Sequence, residues 1–195
     1  GGLYEALYRL KKAGKARFVG ISLKTARDID NAIDHTSIDG FQVPMNLLAP
    51  QPFVVRLEKI RASGLGIIVR SALREGFLTG KFQKTSRFTD PGDQRSKLSE
   101  REIADLVDAV EKFRFLEAET ASMGVAAARY PLSFPEVSVV ILGTKSPAQA
   151  DVNFGKVPGA TLSPQSLARV EALQRSMGLM DVSPRWLERL KRLLR

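Results

Sequence analysis

The chain has 195 residues, of which 44% are hydrophobic, 26% charged and 7% aromatic; this is globular composition, which excludes collagen-like, low-complexity and disordered classes, and the length suits one domain or two small ones. With no Cys and one His, at position 35, disulfide frameworks, thiolate metal sites, cysteine nucleophiles and three-His zinc sites are excluded, and any Ser–His triad would have to use His35. Thirty Lys and Arg against 21 Asp and Glu give a net charge of +9, which attracts anions such as nucleotide phosphates, nucleic acid or an acidic membrane without choosing among them.

Tyr4 to Lys12 reads as a helix with Leu7 and Leu10 on one face, ended by Gly14. Arg17 to Ser22 is a short strand, and Thr25 to His35 a helix carrying Ile29, Ala32 and Ile33. Gly40 to Val43 is a second strand, followed by a helix from Pro52 to Ser63. Gly66 to Ser71 is a third strand. The polar stretch from Thr79 to Leu98 is longer than most connections, and such loops tend to be lids or disordered. Ser99 and Glu102 form a capping-box pattern ahead of Ile103, Leu106, Val107, Val110 and Phe113 at helical spacing. A helix from about Ser122 to Tyr130 should end or kink at Pro131. Val137 to Leu142 is a fourth strand, and Pro147 to Phe154 a short helix. Ser163-Pro164 starts another helix, which Gly178 ends, and Ser183-Pro184 starts a last one running to Arg195.

Four short strands alternating with helices indicate an α/β fold with a parallel sheet and right-handed crossovers. An eight-fold barrel usually needs about 250 residues, and four strands make half of one. No internal repeat of solenoid length stands out. No apolar run approaches the roughly 20 residues of a membrane span, and no signal or transit segment opens the chain. The lack of Cys fits a reducing compartment, so a cytoplasmic location is expected. The chain does not begin with Met, which suggests processing, a tag remnant or excision from a longer protein.

Four stretches carry a resemblance: KKAGKARFVGIS from Lys11 to Ser22, GFQVPMNLL from Gly40 to Leu48, GLGIIVRSALREGFLTGKF from Gly64 to Phe82, and PEVSVVILGTKSPAQADVNF from Pro135 to Phe154. In this order and spacing they resemble the C-terminal half of the aldo-keto reductases, from Gly1 to about Gly178. The resemblance implies strands five to eight of a (β/α)8 TIM barrel over residues 1–178, followed by a basic amphipathic helix over 179–195. It implies an extended NADP(H), or alternatively NAD(H), without a Rossmann fingerprint, and the chain has no GxGxxG. The family reduces carbonyls by hydride transfer, with a Tyr as proton donor helped by Lys, His and Asp. No position here matches those four. Tyr4, Tyr8 and Tyr130 read as packing groups with a polar tip and His35 as a helix-end residue, so no catalytic residue and no metal ligand is assigned.

The resemblance places cofactor contacts at the strand ends. Ser22 and Gln42 match the pair that holds the nicotinamide carboxamide, a planar amide that needs a donor and an acceptor fixed in one plane. Leu23 replaces the family's Asn and loses one amide contact. Arg70 stands where an aromatic ring commonly stacks on the nicotinamide, and a guanidinium is planar enough to take that place. Ser71, Leu73 and Gly76 match the pyrophosphate-binding stretch, and Thr79, Gly80 and Lys81 begin the loop that folds over it. Gly143, Thr144, Lys145, Gln149 and Asn153 match the adenosine-end motif. Lys145 is the candidate for a 2′-phosphate, and the helix start at Pro147 offers free N–H groups to an anion. Gln149, where the family often has Arg, and Asn153 share one helix face toward the adenine.

The resulting expectation is the cofactor-binding half of an NADP-dependent aldo-keto reductase, lacking the catalytic tetrad and so inactive alone. Whether the chain is itself an enzyme stays open. The alternative is a non-catalytic nucleotide-binding or interaction module derived from that fold. Its partners would be a nicotinamide dinucleotide and either a missing N-terminal half or a second copy, with no nucleic acid. Asp105, Asp108 and Glu111 read as a solvated helix face. Trp186, Leu187, Leu190, Leu193 and Leu194 form an apolar stripe beside Arg185, Arg189, Lys191, Arg192 and Arg195. That pattern is read as packing on its own chain or a partner rather than on a membrane surface.

Overall fold

Short β-branched runs alternate with helix signals, and they become parallel strands joined through helices. The computed structural model describes residues 2–35, 37–157 and 161–180. Its strands are β1 (Gly20–Ser22), β2 (Gly40–Pro44), β3 (Gly66–Arg70) and β4 (Val137–Val140). They pair in parallel and in sequence order, β1-β2-β3-β4. Helix α1 (Leu3–Lys12) precedes the sheet. Helices α2 (Ala26–Ile33), α3 (Leu57–Ser63), α4 (Glu100–Glu111) and α5 (Met123–Leu132) lie in the crossovers that parallel pairing requires. Helices α6 (Pro147–Gly155) and α7 (Pro164–Ser176) follow β4.

The period-2 alternation of a strand gives the sheet two unlike faces. Phe41, Val43, Ile67 and Val69 are buried, within a core that also holds Ile29, Phe53, Ile60, Phe113 and Met123. Each such side chain contributes about 1.5–3 kcal/mol on full burial. On the other face, register aligns Ser22 with Gln42, Gln42 with Ile68, and Ile68 with Val139. Ile68 is 38% and Val139 49% exposed. The row below aligns Gly20, Gly40 and Gly66. A Cβ on Gly20 would stand 2.7 Å from the Gly40 carbonyl oxygen and one on Gly40 2.3 Å from that of Gly66, so these two positions leave no room for side chains.

The expected strands five to eight of a barrel, the C-terminal half, are corrected here. The described residues form an α/β unit with a four-stranded parallel sheet, whose hydrogen-bonded order starts at β1 and ends at β4. Strand and loop motifs specify local βα geometry; they do not specify how many strands share a sheet.

Smaller expectations are also adjusted. The first strand is only Gly20–Ser22, because Arg17 and Phe18 turn outward and Phe18 is 73% exposed. The helix expected from Pro52 begins as a 3-10 turn, Val54–Arg56, before α3. Pro131 falls in the last turn of α5, which finishes one residue later at Leu132, close to the expected end. The capping box is present: the Ser99 Oγ accepts from the Glu102 N–H and the Ser99 N–H donates to the Glu102 carboxylate. Ser146 and Ser163 cap α6 and α7 as expected. The helix expected from Ser183 to Arg195 lies outside the described residues.

Candidate functional site

In a parallel sheet all strand C-termini reach one edge, which is where α/β folds gather polar residues. Ser22 ends β1, and its Oγ donates to the Gln42 Oε1 at 3.5 Å. Arg70 ends β3, and its Nη2 donates to the Leu23 carbonyl at 3.1 Å, bridging from β3 across to the chain after β1. Leu23 itself is buried, and its N–H is fixed on the Gln42 carbonyl at 2.7 Å. The structure thus brings Ser22 and Arg70, at the ends of β1 and β3, near Gln42, two residues before the end of β2.

Directly after β3 the backbone is strained. Ser71, Arg74 and Glu75 have φ of 59°, 48° and 51°, and Gly76 has 89°. Non-glycine residues in that region cost of order 1–3 kcal/mol each and persist only where their surroundings hold them. Asn46 supplies part of that hold: its Nδ2 donates to the Ser71 carbonyl at 3.0 Å while its Oδ1 accepts from the Leu48 N–H at 3.0 Å. Arg95 Nη1 donates to the Glu75 carbonyl at 3.2 Å, and Arg114 Nη2 to the Gly80 carbonyl at 2.9 Å. Leu73 is partly buried and packs against the core. Arg74 is buried, and desolvation holds its guanidinium below the usual arginine range. Successive turns of this kind aim backbone N–H groups to one side, the geometry of an anion concavity.

The stretch after Gly80 is ordered by an aromatic cluster rather than loose. Phe77, Phe82 and Phe88 meet pairwise at ring-centroid distances of 5.0, 6.0 and 5.1 Å. The Arg95 guanidinium lies 4.4 Å from the Phe88 centroid and 5.1 Å from that of Phe82. Asp93 accepts from Arg95 Nε at 2.9 Å. The Arg95 side-chain hydrogen bond, then the Arg95 backbone N–H, hold the Asp93 carboxyl down at about 2, and the charge of Lys145 acts in the same direction.

At the tip of β4, Thr144 and Lys145 are tied to α6. Gln149 Oε1 accepts from the Lys145 N–H at 2.7 Å, and Asn153 Nδ2 donates to the Thr144 Oγ1 at 3.0 Å. Gly143 has open space where a Cβ would stand. All five of these residues are exposed except Asn153, which is half-buried, and α6 buries none of its side chains.

Three residues that the sequence reading passed over hold the site together: Asn46, Asp93 and Arg95. An Asn inside the apolar run Pro44-Met45-Asn46-Leu47-Leu48 was the available signal for the first. The Tyr and His candidates stay apart from the rim. His35 follows α2, toward the N-terminal ends of the strands, and stacks on Tyr4 with centroids 3.8 Å apart. The Tyr130 hydroxyl is buried on Gln174 at 3.2 Å, and burial raises its pKa. Among the described residues no group of His, Asp and Glu is placed to hold a metal ion, and no helix is long and apolar enough to cross a membrane.

The aldo/keto reductase family model matches residues 3–175. The chain therefore belongs to the aldo/keto reductase family. That match, spanning nearly the whole chain as one family domain, stands with the four-stranded sheet against the narrower reading of a C-terminal half. Among curated proteins the chain is similar to the aldo-keto reductase str7 of Strobilurus tenacellus, at 27% identity over 175 residues, 86% of this chain and 52% of that protein. It is also similar to the aldo-keto reductase yakc [NADP(+)] of Schizosaccharomyces pombe, at 27% over 159 residues, 77% of this chain and 46% of that protein. The chain spans about half the length of the curated relatives it matches. In fold it is similar to the glycerol dehydrogenase AKR11B4 from Gluconobacter oxydans, with a TM-score of 0.72, 21% identity, and coverage of 93% of this chain and 56% of that one. The holo form of the aldo-keto reductase AKR11C1 from Bacillus halodurans gives a TM-score of 0.67 at 22% identity, covering 87% of this chain and 54% of that one.

Proposed function

We propose that the chain binds NADP(H) along the strand tips and belongs to a carbonyl/alcohol oxidoreductase whose proton-transfer groups it does not itself carry. The observation that carries this reading is the Ser22–Gln42 pair, two polar side chains 3.5 Å apart on register-matched residues of neighbouring parallel strands. A hydroxyl beside an amide offers the donor and acceptor that a carboxamide needs. The turn from Ser71 to Gly76, with positive φ at Ser71, Arg74, Glu75 and Gly76 directly after β3, supports a pyrophosphate site there, since such turns can form anion-binding concavities. Lys145 and the N-terminus of α6 suit the adenosine end, where a compact cation meets a phosphate.

When bound, a reduced nicotinamide supplies a hydride to a carbonyl carbon. Ser22 and Gln42 fix the plane of the carboxamide, and with it the ring face presented to a substrate. Arg70, anchored on the Leu23 carbonyl, would stand beside the ring and limit its tilt. A carbonyl also needs a proton donor held beside it. Tyr130 is spent on Gln174 inside the core, and Tyr4 stacks on His35. The apolar exposure of Ile68 and Val139 beside Gln42 supports a second polypeptide layer over the rim, from another copy of this chain or a separate segment.

The test is NADPH consumption by the purified chain against a broad aldehyde and ketone panel. The expected result is no protein-dependent oxidation. Steady turnover by the chain alone would overturn the claim that proton transfer lies outside it, and its loss in a Tyr130→Phe variant would assign that step to Tyr130.

A further inference from the structure

Arg70 belongs to the open face of the sheet. Register pairs it with Pro44, one row beyond the Gln42–Ile68 pair on the same face. From β3 its side chain spans the end of β2 and reaches the Leu23 carbonyl, just after β1, at 3.1 Å. Among the described residues that carbonyl is its one hydrogen-bond acceptor, and no carboxylate lies within 4 Å of it. A guanidinium presents five N–H donors in a planar fork, so most of this one faces no partner.

Other partly buried arginines are neutralised within the fold. Arg56 Nε meets both oxygens of Asp30 at 2.9 Å, and Arg95 Nη2 meets Asp93 at 2.5 Å. Arg70 is partly buried as well, and a cation drawn from water without a counter-charge is costly unless an anion is supplied to it. The carboxylate next along the chain from Leu23 is already committed. Asp28 starts α2, accepting from the Lys24 and Thr25 N–H groups at 3.1 and 2.8 Å. Lys24 is exposed and, among the described residues, also meets no carboxylate within 4 Å. Beside this unneutralised charge the face is apolar: Ile68 and Val139 are exposed on β3 and β4, and Ile141 is exposed just after β4.

We propose that Arg70 determines substrate specificity by receiving the carboxylate of a short oxo acid. The inference rests on the dinucleotide reading, which sets the nicotinamide at Ser22 and Gln42. The guanidinium fork matches the two oxygens of a carboxylate, and the methylenes between carboxylate and carbonyl find apolar surface at Ile68. An oxidised nicotinamide is itself positive, so Arg70 beside it is a like charge that the acid offsets.

The test titrates 4-oxopentanoate and its uncharged methyl ester into the chain by calorimetry, at saturating NADP+ and without dinucleotide. The acid is expected to bind about tenfold more tightly than the ester. Arg70→Met should make the two bind alike, Arg70→Lys should restore part of the difference because charge returns without the fork, and Lys24→Met should leave the difference intact. Equal binding of acid and ester by the unmodified chain would overturn the proposal, and this comparison stands even if Arg70→Met fails to fold by circular dichroism. A preference that survives Arg70→Met, or that Lys24→Met abolishes, would overturn it too. So would dihydroxyacetone phosphate binding more tightly than the acid, since the ligand would then be a phosphate ester. Failure of NADP+ to bind would overturn the dinucleotide reading alone; the titrations without dinucleotide then decide Arg70, a tenfold difference supporting it and equality overturning it.

Discussion

The two ends of the candidate site are built in opposite ways. At the β1–β3 tips, Ser22, Gln42 and Arg70 stand on a sheet whose other face is packed core, and the turn that follows is pinned by buried Asn46. At the β4 tip, Thr144, Lys145, Gln149 and Asn153 rest on a helix that buries nothing, joined only by side-chain hydrogen bonds to one another and to the loop. The first end is shaped by the fold and stays shaped without ligand. The second is shaped locally, by bonds each worth about 1 kcal/mol, so it can adapt to what it holds. A site of this kind would set the reactive ring rigidly and grip the distant phosphate adjustably.

The largest expected effect falls on the rigid end. Asn46→Ala removes an amide that satisfies the Ser71 carbonyl and the Leu48 N–H in a buried place. It should cost about 2–3 kcal/mol in urea denaturation. A loss below about 0.5 kcal/mol would show that the strained turn holds without it and would erase the contrast between the ends.

At the adaptable end, Lys145→Ala should weaken NADPH binding about tenfold, the worth of one charge-assisted contact, while leaving NADH binding and thermal stability unchanged. An equal loss for both dinucleotides would place Lys145 away from the 2′-phosphate. Asn153→Ala breaks the tie to Thr144 and should change stability by no more than about 0.5 kcal/mol, with melting temperature as the check.

The smallest effect is a pH dependence in the segment between the ends. Asp93 is held at about 2 in the folded chain, first by the Arg95 side chain, against an unfolded value near ~3.9. A depressed carboxylate contributes stability that is fully present above the unfolded value and is lost as pH falls through the folded one. Between pH ~4 and ~2, Asp93→Asn should therefore flatten the acid limb of the stability curve. An unchanged limb would sink the Asp93–Arg95 pair as an ordering contact.

Local signals were well legible in the sequence. Ser99 with Glu102, Ser146-Pro147 and Ser163-Pro164 start helices where the pattern placed them, because capping is written in three or four adjacent residues. The strand tips were found for the same reason. Non-local facts were not legible. The order of residues 79–98 depends on Phe77, Phe82 and Phe88 closing around Arg95, contacts that no short window displays. Asn46 is spaced 25 residues from the carbonyl it holds. The sheet's extent depends on pairing between strands rather than on any one strand, and there the barrel-half expectation failed. The grouping of Ser22, Gln42 and Arg70 came from the resemblance, and the structure adds their mutual contacts and their unequal footing.

Calorimetric titration of the chain with NADPH, repeated with Gln42→Ala, tests the central claim most directly. The account predicts saturable one-site binding that Gln42→Ala weakens about tenfold without altering the melting temperature, because Gln42 lies on the open face. Absence of binding, or binding that Gln42→Ala leaves untouched, would contradict it.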